Sequence, residues 1–234
     1  LETDSPFMTP VPFRGKRNEP AYVNYIAQQV AAVHKISLED VGRITSLNTF
    51  RFFGIGKVPK TSFTYLLGNS LYINVTNRCN ADCTFCRRKE DPFLRGYNLG
   101  MKKSEEPSSE VYIKEIGDPK KFDEIVFCGY GEPTIRWDVV KEVAKFVKAN
   151  GGSTRINTNG HGNLINKKDI TPEMKDVIDV VSISFNTFDS KQYAELMRVS
   201  EDHFEEMKNF ARLAKQYVTK VVMSVVSLDE VEIE

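Results

Sequence analysis

The hydrophobic positions change rhythm partway along this chain. From Pro20 onward, Tyr22, Val23, Ile26, Ala27, Val30 and Val33 recur at helical spacing, and Asn18 ahead of Pro20 is a good helix start. A second stripe, Val41, Ile44, Leu47 and Phe52, is entered through "SLED" at 37–40 and closed by Gly54. The first feature predicts a capping box, in which hydroxyl and acid satisfy each other's backbone N–H, and the second a left-handed helix stop. Over 56–69 the period is lost among glycines and a proline, so this stretch reads as a linker.

Beyond it the runs become short and rich in β-branched or aromatic residues: "LYINV" (71–75), "EIVFC" (124–128), "STRIN" (153–157), "VVSISF" (180–185) and "KVVMSVV" (220–226). Amphipathic helical stretches lie between them at 104–116, 134–149, 171–178 and 190–217. Near-continuous apolar strands alternating with helices predict a parallel sheet covered by helices, an α/β fold. The domains expected are 1–55 and 70–234, joined by 56–69, and 87–109 is the one long irregular insertion.

Composition narrows the function classes. Lys plus Arg equals Asp plus Glu at 32 each, so the overall charge points to neither nucleic acid nor membrane. No apolar run approaches the ~18 residues of a membrane span, and "LETDSPFMTP" lacks the pattern of a secretion signal. Four cysteines in 234 residues are no disulfide framework, which predicts a reducing, cytoplasmic location. A start at Leu1, and a stop soon after the apolar run 220–226, lead us to expect a piece of something longer.

Three of the four cysteines, Cys79, Cys83 and Cys86, fall within "NVTNRCNADCTFCRRKE" (74–90), directly after a predicted strand. Zinc and iron–sulfur clusters both recruit thiolates. A structural zinc site closes with four ligands, commonly as two separated pairs. Here a triplet stands alone; Cys128 ends another strand without a partner cysteine and reads as a small buried residue. Three thiolates on a [4Fe–4S] cluster leave one iron open for chemistry. Zinc remains the alternative.

"CNADCTFC" resembles the C-x3-C-x-aromatic-C motif of the radical S-adenosylmethionine (radical SAM) superfamily, with Phe85 in the aromatic slot. "FCGYGEPT" (127–134) is similar to its Gly-Gly-Glu-Pro segment, with the glycines spaced by Tyr130, and "NTNG" (157–160) to its third strand end. The resemblance implies a partial (β/α) barrel, truncated here after about five strands. It also implies a [4Fe–4S] cluster on Cys79, Cys83 and Cys86, and S-adenosyl-L-methionine held around Phe85, Gly129, Tyr130, Gly131, Glu132 and Asn159. Ser184 and Asn186 stand at the ribose position. Glycines there would let backbone approach the ligand, and Glu132 would face the α-amino group. The family's chemistry is reductive cleavage to methionine and a 5′-deoxyadenosyl radical acting on a substrate. Its partners are S-adenosylmethionine and a one-electron donor such as flavodoxin or ferredoxin. His161, in "NGHGN", is a further catalytic candidate. Arg87, Arg88 and Lys89 read as a solvated face, and His34 and His203 as surface or boundary residues.

"LETDSPFMTPVPFRGKRNEPAYV" (1–23) is very similar to the final segment of the TatD family of metal-dependent hydrolases, and the nearest radical SAM subgroup is the one associated with TatD-type proteins. This implies that 1–55 form the last strand end and helices of a TIM barrel. Asp4 would be a divalent-metal ligand only in an intact barrel, which needs ~250 residues. Arg14, Lys16 and Arg17 read as a solvated loop. The expectation is a radical SAM enzyme whose parent also carries a nuclease-like hydrolase, with a nucleic-acid or nucleotide-derived substrate as first guess. The alternative is a nucleic-acid hydrolase with a regulatory or zinc-binding cysteine-rich module.

Overall fold

A computed structural model describes residues 1–226, and the chain divides into two compact units. The last predicted strand stretch, 220–226, lies within the described residues.

The first unit comprises Leu1–Lys60 with Phe93–Asn98. Asn18 does not cap a helix. Its side-chain amide reaches the Thr3 and Phe7 carbonyls and closes the N-terminal loop. After a single 3-10 turn come α1 (Val23–His34) and α2 (Leu38–Phe53). The capping box forms: Ser37 Oγ accepts from Asp40 N at 3.0 Å, and Asp40 Oδ2 accepts from Ser37 N at 3.2 Å. Gly54 ends α2 in the left-handed region. Ile26, Val30 and Ile44 are half-buried and Phe52 is 81 % exposed. A short hairpin from the long insertion packs on α2, with Arg43 lying 4.0 Å from the Tyr97 ring centroid.

The second unit, Thr61–Pro92 with Leu99 onward, holds a six-stranded sheet. Its strands are β1 (Thr64–Leu67) and β2 (Ser70–Asn74), then, after the insertion hairpin (β3, Phe93–Leu94; β4, Tyr97–Asn98), β5 (Ile125–Cys128), β6 (Thr154–Thr158), β7 (Val180–Ser184) and β8 (Lys220–Ser224). The order is β1-β2-β5-β6-β7-β8, with every pair parallel except β1 with β2, and among the described residues the sheet does not close. β1 lies inside the stretch read as linker. The signal was present: "TYLL" and "SLYIN" flank Gly68-Asn69, a two-residue hairpin turn with Gly68 at φ +62°.

Helices cover one face. α3 (Ser109–Ile116), α4 (Trp137–Ala149) and α7 (Asp202–Ala214) bury Tyr112, Val140, Val143, Val147, Met207 and Phe210 against Ile73, Phe127, Ile156 and Ile183. Strand alternation sends Tyr72, Arg155, Asn157, Ser182 and Ser184 to the other face. Two helical expectations change. Residues 171–178 make only a 3-10 turn over Thr171–Met174, entered through Pro172. The stretch 190–217 splits into α6 (Ser190–Met197) and α7, because Arg198 turns left-handed at φ 51°. A short helix, α5 (Gly162–Asn166), follows β6 directly after His161.

Candidate active-site cleft

The carboxyl ends of β2, β5, β6 and β7 meet around a cleft of about 240 Å³. It is lined by Cys79, Cys83, Phe85 and Cys86 after β2, Gly129–Glu132 after β5, Asn159 after β6, and Ser184 and Asn186 at the end of β7. Parallel sheets collect ligands at this end because the loops converge there. The residues expected to hold cluster and cosubstrate thus share one cavity, and His161 is not among its lining. Asp4 belongs to the first unit and is exposed there.

The cysteine loop is tied on several sides. Asp82 N and Thr84 N donate to the Met197 and Leu196 carbonyls at the end of α6, and Glu132 N donates to the Arg78 carbonyl at 2.8 Å. Arg88, read as solvated, folds back to donate to the Ala81 carbonyl at 2.9 Å. Just before the loop, the Arg78 guanidinium binds both oxygens of the half-buried Glu106 at 2.9 and 2.8 Å, and Arg136 approaches the same carboxylate at 3.5 Å. These charges hold Glu106 below the usual carboxylate range despite its burial. No periodicity in the sequence announces this long-range pairing.

The glycines of the β5 loop are closely packed. A Cβ on Gly131 would collide with the Thr76 and Arg78 carbonyls, and one on Gly129 would lie 2.7 Å from Asn74 Oδ1. Their lack of a side chain brings the β5 loop close against the backbone of the cysteine loop.

Glu132 is 2 % exposed. One carboxylate oxygen accepts from Thr134 N (3.1 Å), Thr134 Oγ1 (2.7 Å) and Thr158 Oγ1 (2.7 Å), and the other accepts from Asn159 N (2.7 Å). Burial pushes its pKa up while all four donors favour the ionised form. Asn186, left-handed at φ 63°, donates to Met197 Sδ and accepts from Val226 N.

His161 does not line the cleft. It is 1 % exposed, with Asn80 Nδ2 3.0 Å from Nδ1 and the Tyr193 hydroxyl 3.0 Å from Nε2. Asn80 Oδ1 already accepts from Asn159 Nδ2, so the Asn80 amide donates to a neutral ring. His203, expected at the boundary, packs edge-on with ring centroids 4.8 Å apart. Burial, helped by His203, pushes the His161 pKa down from 6.5 to about 4. The unfolded chain therefore takes up a proton that the folded chain refuses. Stability present above pH 6.5 is lost as pH falls toward 4, by about 3 kcal/mol over the window. In iron-free protein, the urea midpoint is expected to fall across this range, and His161→Gln to flatten that slope. An unchanged slope in the variant would refute the assignment.

Burial also pushes the Cys79 and Cys83 thiols up, Cys83 to about 11 with the neighbouring thiols contributing, so a metal must displace their protons. Among the described residues no three His, Cys, Asp or Glu side chains converge as one ion requires. A zinc ion needs every sulfur within about 2.3 Å of itself. All three thiols line one cleft, and three thiolates on one loop are the donor set of a cluster that keeps one iron open.

The sequence profile of the Radical SAM superfamily matches residues 73–234, and that of TatD related DNase matches residues 1–54. An uncharacterized metal-dependent hydrolase of Bacillus subtilis is 53 % identical over 55 residues, 24 % of this chain and 22 % of that protein. An uncharacterized protein of Methanocaldococcus jannaschii is 27 % identical over 154 residues, 65 % of this chain and 46 % of its own. A probable GTP 3′,8-cyclase of Methanothermobacter marburgensis is 32 % identical over 143 residues, covering 59 % and 41 %. The chain thus spans less than half the length of these relatives. Among solved structures, Streptococcus suis SuiB superposes with a TM-score of 0.46 at 17 % identity, covering 89 % of this chain and 45 % of that one. TYW1 with a lysine-pyruvate adduct superposes with a TM-score of 0.43 at 17 % identity, covering 75 % and 58 %.

Proposed function

The chain belongs to the radical SAM superfamily, and on that premise we propose that it is an enzyme that cleaves S-adenosylmethionine reductively to act on a substrate by hydrogen abstraction. The observation that carries the reading is the shared cleft of Cys79, Cys83 and Cys86 with the Gly129–Glu132 loop. The three thiolates would hold a [4Fe–4S] cluster. When bound and reduced by a one-electron donor, that cluster supplies the electron that splits the sulfonium into methionine and a 5′-deoxyadenosyl radical.

The chain's own residues place the cosubstrate and keep water out. Gly129, Tyr130 and Gly131 offer backbone groups beside the thiols, and Ser184 offers a hydroxyl toward the ribose. Asn186 gives one amide hydrogen to Met197 and accepts from Val226 N, which leaves its second Nδ2 hydrogen for the ribose. Phe85, Ala81 and Met197 supply apolar lining.

The TatD-like residues 1–54 motivate the second half of the proposal, in which a hydrolase of that type and the radical chemistry serve one substrate class, nucleic acid or a nucleotide derivative. Asp4 alone cannot assemble a metal centre that needs several ligands, so no hydrolysis is expected from these 234 residues.

The test is anaerobic reconstitution with iron and sulfide, reduction, and addition of S-adenosylmethionine. Formation of 5′-deoxyadenosine is expected, with none from Cys83→Ala. An iron-loaded, reduced chain that makes none would end the radical reading. Zinc at one per chain in place of iron would favour the binding-module alternative.

A further inference from the structure

The Asn159 side chain is consumed by its own protein. Its Oδ1 accepts from His161 N at 3.0 Å, and one Nδ2 hydrogen goes to Asn80 Oδ1 at 2.8 Å. The other lies toward Cys79 Sγ, with nitrogen and sulfur 3.8 Å apart. A primary amide has two hydrogens, so no donor remains for S-adenosylmethionine, the role the sequence suggested. The orientation is over-determined. A flipped amide would turn N–H against the His161 N–H and carbonyl against the Asn80 carbonyl, and Asn80 is itself fixed by His161 Nδ1.

Cys79 is also singled out among the three thiols. Its sulfur accepts from Ala81 N at 3.4 Å in addition to Asn159, whereas Cys83 Sγ faces Met197 Sδ at 3.5 Å. Hydrogen bonds to ligand sulfurs are one of the levers by which a protein sets an iron–sulfur potential. Reduction adds one negative charge to the cluster and its thiolates. A donor aimed at a sulfur therefore stabilises the reduced form more than the oxidised form, since bonds to charged acceptors are the stronger ones.

We propose that Asn159 is a redox-positioning residue whose amide, locked by Asn80 and His161, donates to the Cys79 sulfur and raises the reduction potential of the cluster. The inference rests on the cluster reading above. A second contact of the same kind provides an internal control. Asn157 Nδ2 lies 3.7 Å from Cys128 Sγ, a thiol outside the triplet.

The experiment measures midpoint potentials of the iron-loaded full chain by mediated reduction followed by electron paramagnetic resonance, without S-adenosylmethionine and at matched iron content. Asn159→Leu, similar in size and without a donor, is expected to shift the midpoint to more negative values, and Asn157→Leu to leave it at the wild-type value. Equal midpoints for wild type and Asn159→Leu overturn the proposal. So do equal shifts in both variants, which would mark a general change in cleft polarity. Should Asn159→Leu hold no iron, Asn159→Asp keeps the acceptor for His161 N–H and removes the donor. Its reduced cluster should then show one exchangeable-proton coupling fewer than wild type on transfer to D2O, and an unchanged set overturns the proposal. Wild-type protein that binds no iron removes the cluster reading itself, an outcome distinct from equal potentials at equal iron.

Discussion

Cys79→Ala, Cys83→Ala and Cys86→Ala are each expected to leave the chain without bound iron after anaerobic reconstitution, while Cys128→Ala keeps about four irons per chain, the content of one [4Fe–4S] cube. The experiment discriminates because Cys128 lines the same cleft. Proximity alone would make it a fourth ligand. Its surroundings argue otherwise. The sulfur sits against its own neighbour's carbonyl and the Asn157 amide at 3.7 Å, on a strand whose backbone is fixed on both sides by β2 and β6. Burial pushes its thiol up. The triplet, by contrast, lies on one loop, where three thiolates can adapt together. Iron analysis and visible absorbance read the result, and equal loss from all four variants would point to a four-thiolate zinc site.

What could be read in advance follows from what is local. The Ser37–Asp40 box and the Gly54 stop need only neighbours within one turn, and both form as the sequence indicates. The parallel strands were legible to within a residue or two because near-continuous apolar runs have few other places to go, as at 124–128 against the observed Ile125–Cys128. β1 was missed although its hairpin turn was visible, because glycine and proline nearby drew the whole stretch into a linker. The break between α6 and α7 has no glycine or proline to mark it. Its reason is tertiary: the carbonyls of Leu196 and Met197 receive the cysteine loop's N–H groups, so the helix has to end there. The buried position of His161, read as a catalytic candidate, and the pairing of Glu106 were not legible for the same cause. Each matters through partners 81 and 28 positions away, Asn80 and Arg78, that no local pattern pairs.

Glu132→Ala is expected to lower stability by roughly 3 kcal/mol or more, since it strands several buried donors at ~1–3 kcal/mol each. For a chain of this size that is a fall of about 10 °C in Tm. A purely ligand-binding carboxylate would behave differently, leaving Tm alone and weakening only S-adenosylmethionine binding. The geometry separates the cases. Thr134, Thr158 and Asn159 converge on Glu132 from the turn after β5 and the end of β6, so the side chain joins two strand ends before any ligand arrives. Glu132→Gln is not conservative here. All four contacts are donors, and an amide presents N–H to at least one of them, creating a buried clash of like groups. Gln is therefore expected to recover little of the stability lost in Ala. Loss of binding should accompany loss of stability, because Asn159 and the Gly129–Gly131 backbone shift with the carboxylate that anchors them. Thermal unfolding of iron-free protein checks the first effect and equilibrium binding of S-adenosylmethionine to the loaded protein the second. An unchanged Tm in both variants would return Glu132 to the simpler role of ligand contact.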